Sequence, residues 1–282
     1  MKGFLGILVI CSAAFAQAPR SMGSIFHSEL AGSLPHADSV SVSVTGVTNG
    51  ASFQPGIAAG SWVTIQGNNL SNTNPGRIWR SDEIVNGNLP TTLDGVTVTV
   101  NGKPAYVYYI SPTQINIQAP SDDAVGPVSV VVNNNGSVSS ASTAQLQAFA
   151  PAFFQYGSTP YAIATRYPDN ALIASPSAVQ GTVAAKPGDI LILWGTGFGA
   201  TNPATPGGVV VTGAPAVVTP PTITLNGSVN APVIGAALSP GSAGLYQIAI
   251  QLPANTPTGD VSITAAVGGF QSPSSIKIFV GQ

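Results

Sequence analysis

Acid–base or nucleophilic chemistry in this chain would have to begin from few side chains, because its 282 positions hold two histidines, one cysteine and ten carboxylates. A hydrolytic triad requires an imidazole or equivalent base held beside a nucleophile. Both histidines, His27 and His36, fall in a stretch without strand or helix patterning, where a base is not pre-organised. No Gly-x-Ser-x-Gly elbow occurs. Gly195-Thr196-Gly197-Phe198-Gly199 suggests a dinucleotide turn, but Ala200-Thr201-Asn202-Pro203-Ala204-Thr205-Pro206 does not supply the helix that such a turn must open. The glycines read instead as a chain corner, with Phe198 as an apolar plug. The closest carboxylate groupings are Asp82-Glu83 and Asp122-Asp123. Asp82, Glu83, Asn86 and Asn88 approximate the alternating oxygen ligands of a calcium loop, yet a solvated turn explains the same residues and outweighs it. Nothing in the spacing calls for a glycosidase pair. Lys103, Lys186 and Lys277 each stand beside a proline, a turn or a strand end, and read as solvated, not crosslinking. The expectation is therefore no enzyme: no catalytic residue, metal ligand or cofactor is assigned.

Aromatic side chains carry the better hint. Sugar faces stack on exposed rings, and Tyr or Trp tolerates a half-wet site. Tyr106, Tyr108 and Tyr109 crowd one strand, and Trp79 stands in the long loop 71–90. Strict alternation puts Tyr106 and Tyr108 on one face and Tyr109 on the other. These four are the candidate ligand-binding residues, and an extracellular glycan or a surface protein is the partner they would suit.

The elements that must position them are strands. Charged residues make up 6% of the chain, against about 25% in an average domain, while Gly and Pro fill 32 and 24 positions. Val, Ile, Thr and Ser with this many breakers suit half-buried strands joined by tight turns. A net charge of −2 gives no cationic surface for phosphates, which sets nucleic acid aside. Residues 1–16 read as a signal peptide, with Lys2, an apolar run from Phe4 to Ile10, and Ala14-Phe15-Ala16 before the cut. Gln17, Pro19 and Arg20 end the apolar run short of a membrane span. Cys11 follows Ile10, where a lipidated cysteine needs a small residue, so cleavage near Ala16 leaves a thiol-free mature chain without a transmembrane span, secreted or extracytoplasmic. Residues 17–39 read as a flexible leader.

Strand patterning begins at Ser39-Val40-Ser41-Val42-Ser43-Val44, and from there an internal repeat organises the chain. Three collinear blocks match between residues 58–136 and 186–269. The stretch from Gly60 to Leu70 matches that from Gly188 to Phe198; Thr97-Val98-Thr99-Val100-Asn101-Gly102 matches Thr222-Ile223-Thr224-Leu225-Asn226-Gly227; Gln114 to Pro120 matches Gln247 to Pro253. Asn-Gly after an alternating strand signals a type I′ hairpin. Each repeat has the length and turn spacing of a seven-strand sandwich. The expected fold is all-β, with two tandem immunoglobulin-like antiparallel sandwiches at 40–149 and 150–282. The alignment sets Trp62 opposite Ile190 and Trp194 opposite Gln66. Because the second strand is apolar on both faces and the first is mixed, Trp62 is expected nearer solvent than Trp194.

Asn49-Gly50-Ala51-Ser52-Phe53, Gly60-Ser61-Trp62-Val63-Thr64-Ile65, Gln114-Ile115-Asn116, Ala150-Pro151-Ala152-Phe153-Phe154 and Gly195-Thr196-Gly197-Phe198-Gly199 together resemble an uncharacterised repeat family of acidobacterial-type secreted proteins, whose units look like IPT/TIG immunoglobulin-like domains. The resemblance covers about residues 44–280. It implies the fold and export but supplies no activity. The functional expectation is an exported, non-catalytic structural or adhesive module of a cell surface or secreted assembly, with an extracellular polysaccharide-binding module as the alternative.

Overall fold

The computed structural model describes residues 41–282. The signal-peptide and leader assignments, with Cys11, His27 and His36, lie outside the described residues.

Strands take about half of the described residues, and apart from the 3-10 segment Ser81–Glu83 the rest is turn and irregular chain, as the composition demands. The first unit stacks two sheets. One is antiparallel in the order Ser43–Asn49, Trp62–Asn68, Gln114–Gln118, Tyr106–Ile110, Arg77–Ile78. The other runs Ile57–Ala58, Ser142–Gln147, Gly126–Asn134, Val96–Val100, Thr92–Leu93, with Ile57–Ala58 pairing in parallel. Between the sheets, Val63, Ile65, Ile115 and Ile117 meet Val98, Val100, Val130 and Val132, all buried. Alternation produces this core: on Gly126–Asn134 the even-numbered valines point inward and Ser129 and Val131 point away.

The second unit repeats the plan. Ile190–Thr196 lies beside Tyr246–Gln251 in one sheet, and Thr222–Leu225 beside Gly259–Val267 in the other. The register between the repeats is the one read from sequence. Trp62 pairs with Gln118 as Ile190 pairs with Gln251, and Gln66 pairs with Gln114 as Trp194 pairs with Gln247. Both Asn-Gly hairpins form: Asn101 and Gly102 have φ of 51° and 72°, Asn226 and Gly227 of 46° and 69°, as a type I′ turn requires. Phe198 is fully buried against Phe153 and Tyr246, plugging the second core as expected of the glycine corner.

Two expectations need correction. A β-bulge between Val107 and Tyr109 absorbs Tyr108, so Tyr106 pairs with Gln118 and Tyr109 with Asn116. Gln118 and Asn116 are two residues apart and share a face, so Tyr109 joins Tyr106 where strict alternation would oppose them. The second concerns the tryptophans, whose expected order holds narrowly while the expected contrast in exposure does not. Trp62 is 5% exposed and Trp194 2%, so both are buried. Trp62 does point away from its own core, but the second unit covers it: its backbone N–H donates to Thr196 Oγ1 at 3.0 Å and its indole N–H to the Ala243 carbonyl at 3.1 Å. The aromatic outer face of the first unit is thereby an inter-unit contact.

Candidate functional site

This covered face is where the sequence-predicted residues gather. Trp79 follows the short Arg77–Ile78 strand, and its N–H donates to the Tyr108 carbonyl at 2.9 Å, which holds the loop end against the tyrosine strand. The Trp79 and Tyr108 rings meet edge-on with centroids 4.6 Å apart. Trp62 completes a triangle, 6.0 Å from Trp79 and 5.5 Å from Tyr108. Such tilted and edge-to-face contacts match the ring quadrupoles. Trp79 is 7% exposed and Tyr108 5%, so their surface is inward, not a solvent-facing platform. Burial pushes the Tyr108 phenol up to about 12, and its hydroxyl has no hydrogen-bond partner among the described residues.

Tyr106 and Tyr109 flank this triangle and are half-buried. Tyr106 lies under Gly207 and Gly208 of the second unit. A Cβ on Gly208 would come within 2.0 Å of the Tyr106 ring, so only glycine permits this approach, and its φ of +78° favours glycine as well. The Gly208 N–H donates to Gln118 Oε1 at 2.8 Å, and Gln118 Nε2 donates to the Gly60 carbonyl at 2.9 Å, which satisfies both ends of a buried amide. Leu89 N–H to Gly208 carbonyl and Val210 N–H to Gly87 carbonyl, each 2.8 Å, continue the contact as a short bridged stretch between loop 71–90 and the second unit. Tyr109 pairs with Ile78 at the sheet edge, and its hydroxyl packs close to Gly76.

Between the units the aromatic triangle lines a partly open cavity of about 280 Å³. Trp62, Trp79 and Tyr108 form one wall, and Val210, Ala243 and Leu245 of the second unit another. Of the four predicted residues, Trp79 and Tyr108 therefore line one space, while Tyr106 and Tyr109 do not. Sequence reading missed Trp62 and the second-unit wall. Trp62 was legible as an outward-facing aromatic on a mixed strand, whereas nothing local marks Val210, Ala243 or Leu245.

The carboxylates of the loop are otherwise engaged. Arg77 donates to both oxygens of Glu83 at 2.8 and 2.9 Å and to both of Asp94 at 2.6 and 2.9 Å. Hydrogen bonds from this guanidinium hold the Asp94 carboxyl down at about 2 and the Glu83 carboxyl below its usual range. Asp122 is likewise held at about 2, first by the Asn101 amide and then by the Ala124 N–H and Lys103. Glu83 thus closes a loop in place of the calcium ligation its neighbours suggested, and this array anchors chain without presenting a free base or nucleophile.

Residues 51–149 match the IPT/TIG domain family. That stretch is the first sandwich without its Ser43–Asn49 strand, and it includes the Trp62, Trp79 and Tyr108 triangle. Among curated proteins none matches the chain. Among solved structures it is similar to the surface glycan-binding protein PbSGBP-B from Prevotella bryantii, at 10% identity over 84% of this chain and 42% of that one, with a TM-score of 0.25. The Bacteroides ovatus mixed-linkage glucan utilization locus protein SGBP-B, in complex with a mixed-linkage heptasaccharide, is 10% identical over 80% of this chain and 43% of that one, TM-score 0.29. Domains 5–6 of the S-layer protein SbsC are 12% identical over 85% and 98%, TM-score 0.24. The chain thus spans less than half the length of the two glycan-binding proteins, and likeness at these scores carries no argument about what it binds.

Proposed function

We propose that the chain is an exported, non-catalytic structural or adhesive module in which two sandwich domains, 40–149 and 150–282, act as one fused unit. The observation that carries this reading is the closure of the first sheet's outer aromatic face by the second unit. Trp194, Ala243 and Leu245 of the second unit belong to the same contiguous hydrophobic cluster as the first core. Two sandwiches that share a cluster resist bending at their joint, which suits a spacer or assembly element. Equilibrium denaturation tests this: tryptophan fluorescence and far-ultraviolet dichroism should report one coincident transition, and two separated transitions would contradict the fused unit. Export is tested by mass spectrometry of the extracytoplasmic protein, which should begin near Gln17; an intact Met1 or a lipid-modified Cys11 would overturn it.

The half-exposed rings of Tyr106 and Tyr109, beside Trp79 and Tyr108, support a second reading, binding of an extracellular ligand such as a polysaccharide. A glycan array with purified protein discriminates the two. Selective binding that weakens in a folded Tyr108→Phe variant supports the second reading, and a blank array favours the first.

A further inference from the structure

We propose that the inter-unit cavity is a binding site for a small, neutral, planar hydrophobic molecule of one or two rings that carries a single hydrogen-bonding oxygen. The inference is independent of the structural role, which would survive its failure. Three observations support it. The cavity, about 280 Å³, lies at the junction of two sandwiches, and such junctions are preferred places for small-ligand sites. Its volume is near the lower end of the usual range for ligand pockets, which matches one or two rings.

The walls then select the chemistry. Trp62, Trp79 and Tyr108 present ring faces and edges, and Ile84, Leu89 and Leu245 add aliphatic surface. Among the described residues no Asp, Glu, Lys, Arg or His lines the space, so a charged ligand would be desolvated without a counterion. A saccharide is disfavoured on the same ground, since Ser81 and Ser242 are the only wall hydroxyls besides Tyr108 and a sugar ring needs partners for several of its own.

Orientation would come from Tyr108. The residue is 5% exposed, its phenol stays protonated at neutral pH, and its hydroxyl bonds no atom of the described residues and keeps some access to solvent. A ligand oxygen there would take the place of water. Trp79 Nε1 is buried without a partner, and a buried donor left unpaired is costly, so a ligand oxygen beside this indole N–H would remove that cost.

Isothermal titration calorimetry with 2-naphthol as probe and cellobiose as polar comparator tests the assignment on the whole chain. Saturable one-to-one binding of 2-naphthol is expected, with a negative heat-capacity change from burial of apolar surface. Tyr108→Phe, which keeps the ring, should weaken binding about two- to tenfold. Ser242→Trp, or Ile84→Trp if the first variant does not fold, places a ring in the cavity and should abolish binding with dichroism unchanged. Absence of saturable 2-naphthol binding to the wild-type protein overturns the proposal. So does wild-type affinity in a folded cavity-filling variant, or preference for cellobiose over 2-naphthol.

Discussion

Arg77 shows how a single side chain organises the polar side of a loop whose apolar anchors are Trp79 and Leu89. Its guanidinium is shared between Glu83 and Asp94, and Thr73 adds a hydrogen bond to Asp94 at 2.8 Å. Because the folded state lowers both carboxyl pKa values, these groups add stability above the unfolded carboxylate range and lose it as pH falls. The window for Asp94 runs from its ordinary 3.8 down to about 2. Solvent screening keeps the effect modest, since the Asp94 side chain is 40% exposed. The melting temperature of wild-type protein should therefore fall more steeply across that window than that of Arg77→Met; parallel curves would show that the pairing contributes nothing. The tryptophans give a second residue-scale expectation. Both are buried, so Trp62→Ala and Trp194→Ala should each cost about 3–5 kcal/mol in denaturant melts. A loss below about 1 kcal/mol at Trp62 would mean that the second unit does not cover it in solution.

At the scale of the element, the bulged strand is the most informative feature. The Tyr106–Ile110 strand breaks register between Val107 and Tyr109, and Val233–Leu238 does so between Val233 and Gly235, each opposite the equivalent isoleucine of its partner, Ile117 or Ile250. Tyr108 and Ile234 are thus the same bulge residue in two copies of one device. Their surroundings differ: Tyr108 is 5% exposed beneath the second unit, while Ile234 is 54% exposed. Tyr108→Ala should accordingly cost about 3 kcal/mol or more, and Ile234→Ala should stay within about 0.5 kcal/mol of wild type. Equal losses would show that the bulge itself, not the covering unit, sets the cost.

For the molecule as a whole, one of the contacts that couple the units is a narrow seat at Gly207 and Gly208, beside those that Trp62 makes with Thr196 and Ala243. Gly208 holds Gln118 through its N–H, receives the Leu89 N–H at its carbonyl, and touches the Tyr106 ring where a Cβ has no room. Gly208→Val would force this seat apart and strain a positive φ, at a cost above about 1 kcal/mol. The expected outcome is loss of coincidence between the unfolding transitions seen by tryptophan fluorescence and by far-ultraviolet dichroism, because both Trp62 and Trp79 lie at the joint. A variant that keeps a single transition with unchanged midpoint would show that the two cores are joined by other contacts.

Local pattern alone determined much of this protein. Alternation on Val96–Val100 and Gly126–Asn134, the Asn-Gly turns and the pairing of Trp62–Asn68 with Gln114–Gln118 follow from side-chain period and turn geometry, which neighbouring residues carry within themselves. The same pattern placed Trp62 on the face away from its core and marked Trp79 and Tyr108 as unusual aromatics. What covers them was not legible. The bulge that moves Tyr109 to the face of Tyr106 depends on how two strands fit, and alternation within one strand cannot register it. The burial of Trp62 rests on a carbonyl 181 residues away, at Ala243. Contacts at such separation are decided by the packing of two finished sandwiches, and only the tertiary structure brings Val210, Ala243 and Leu245 over the rings to turn an aromatic face into a partly open cavity.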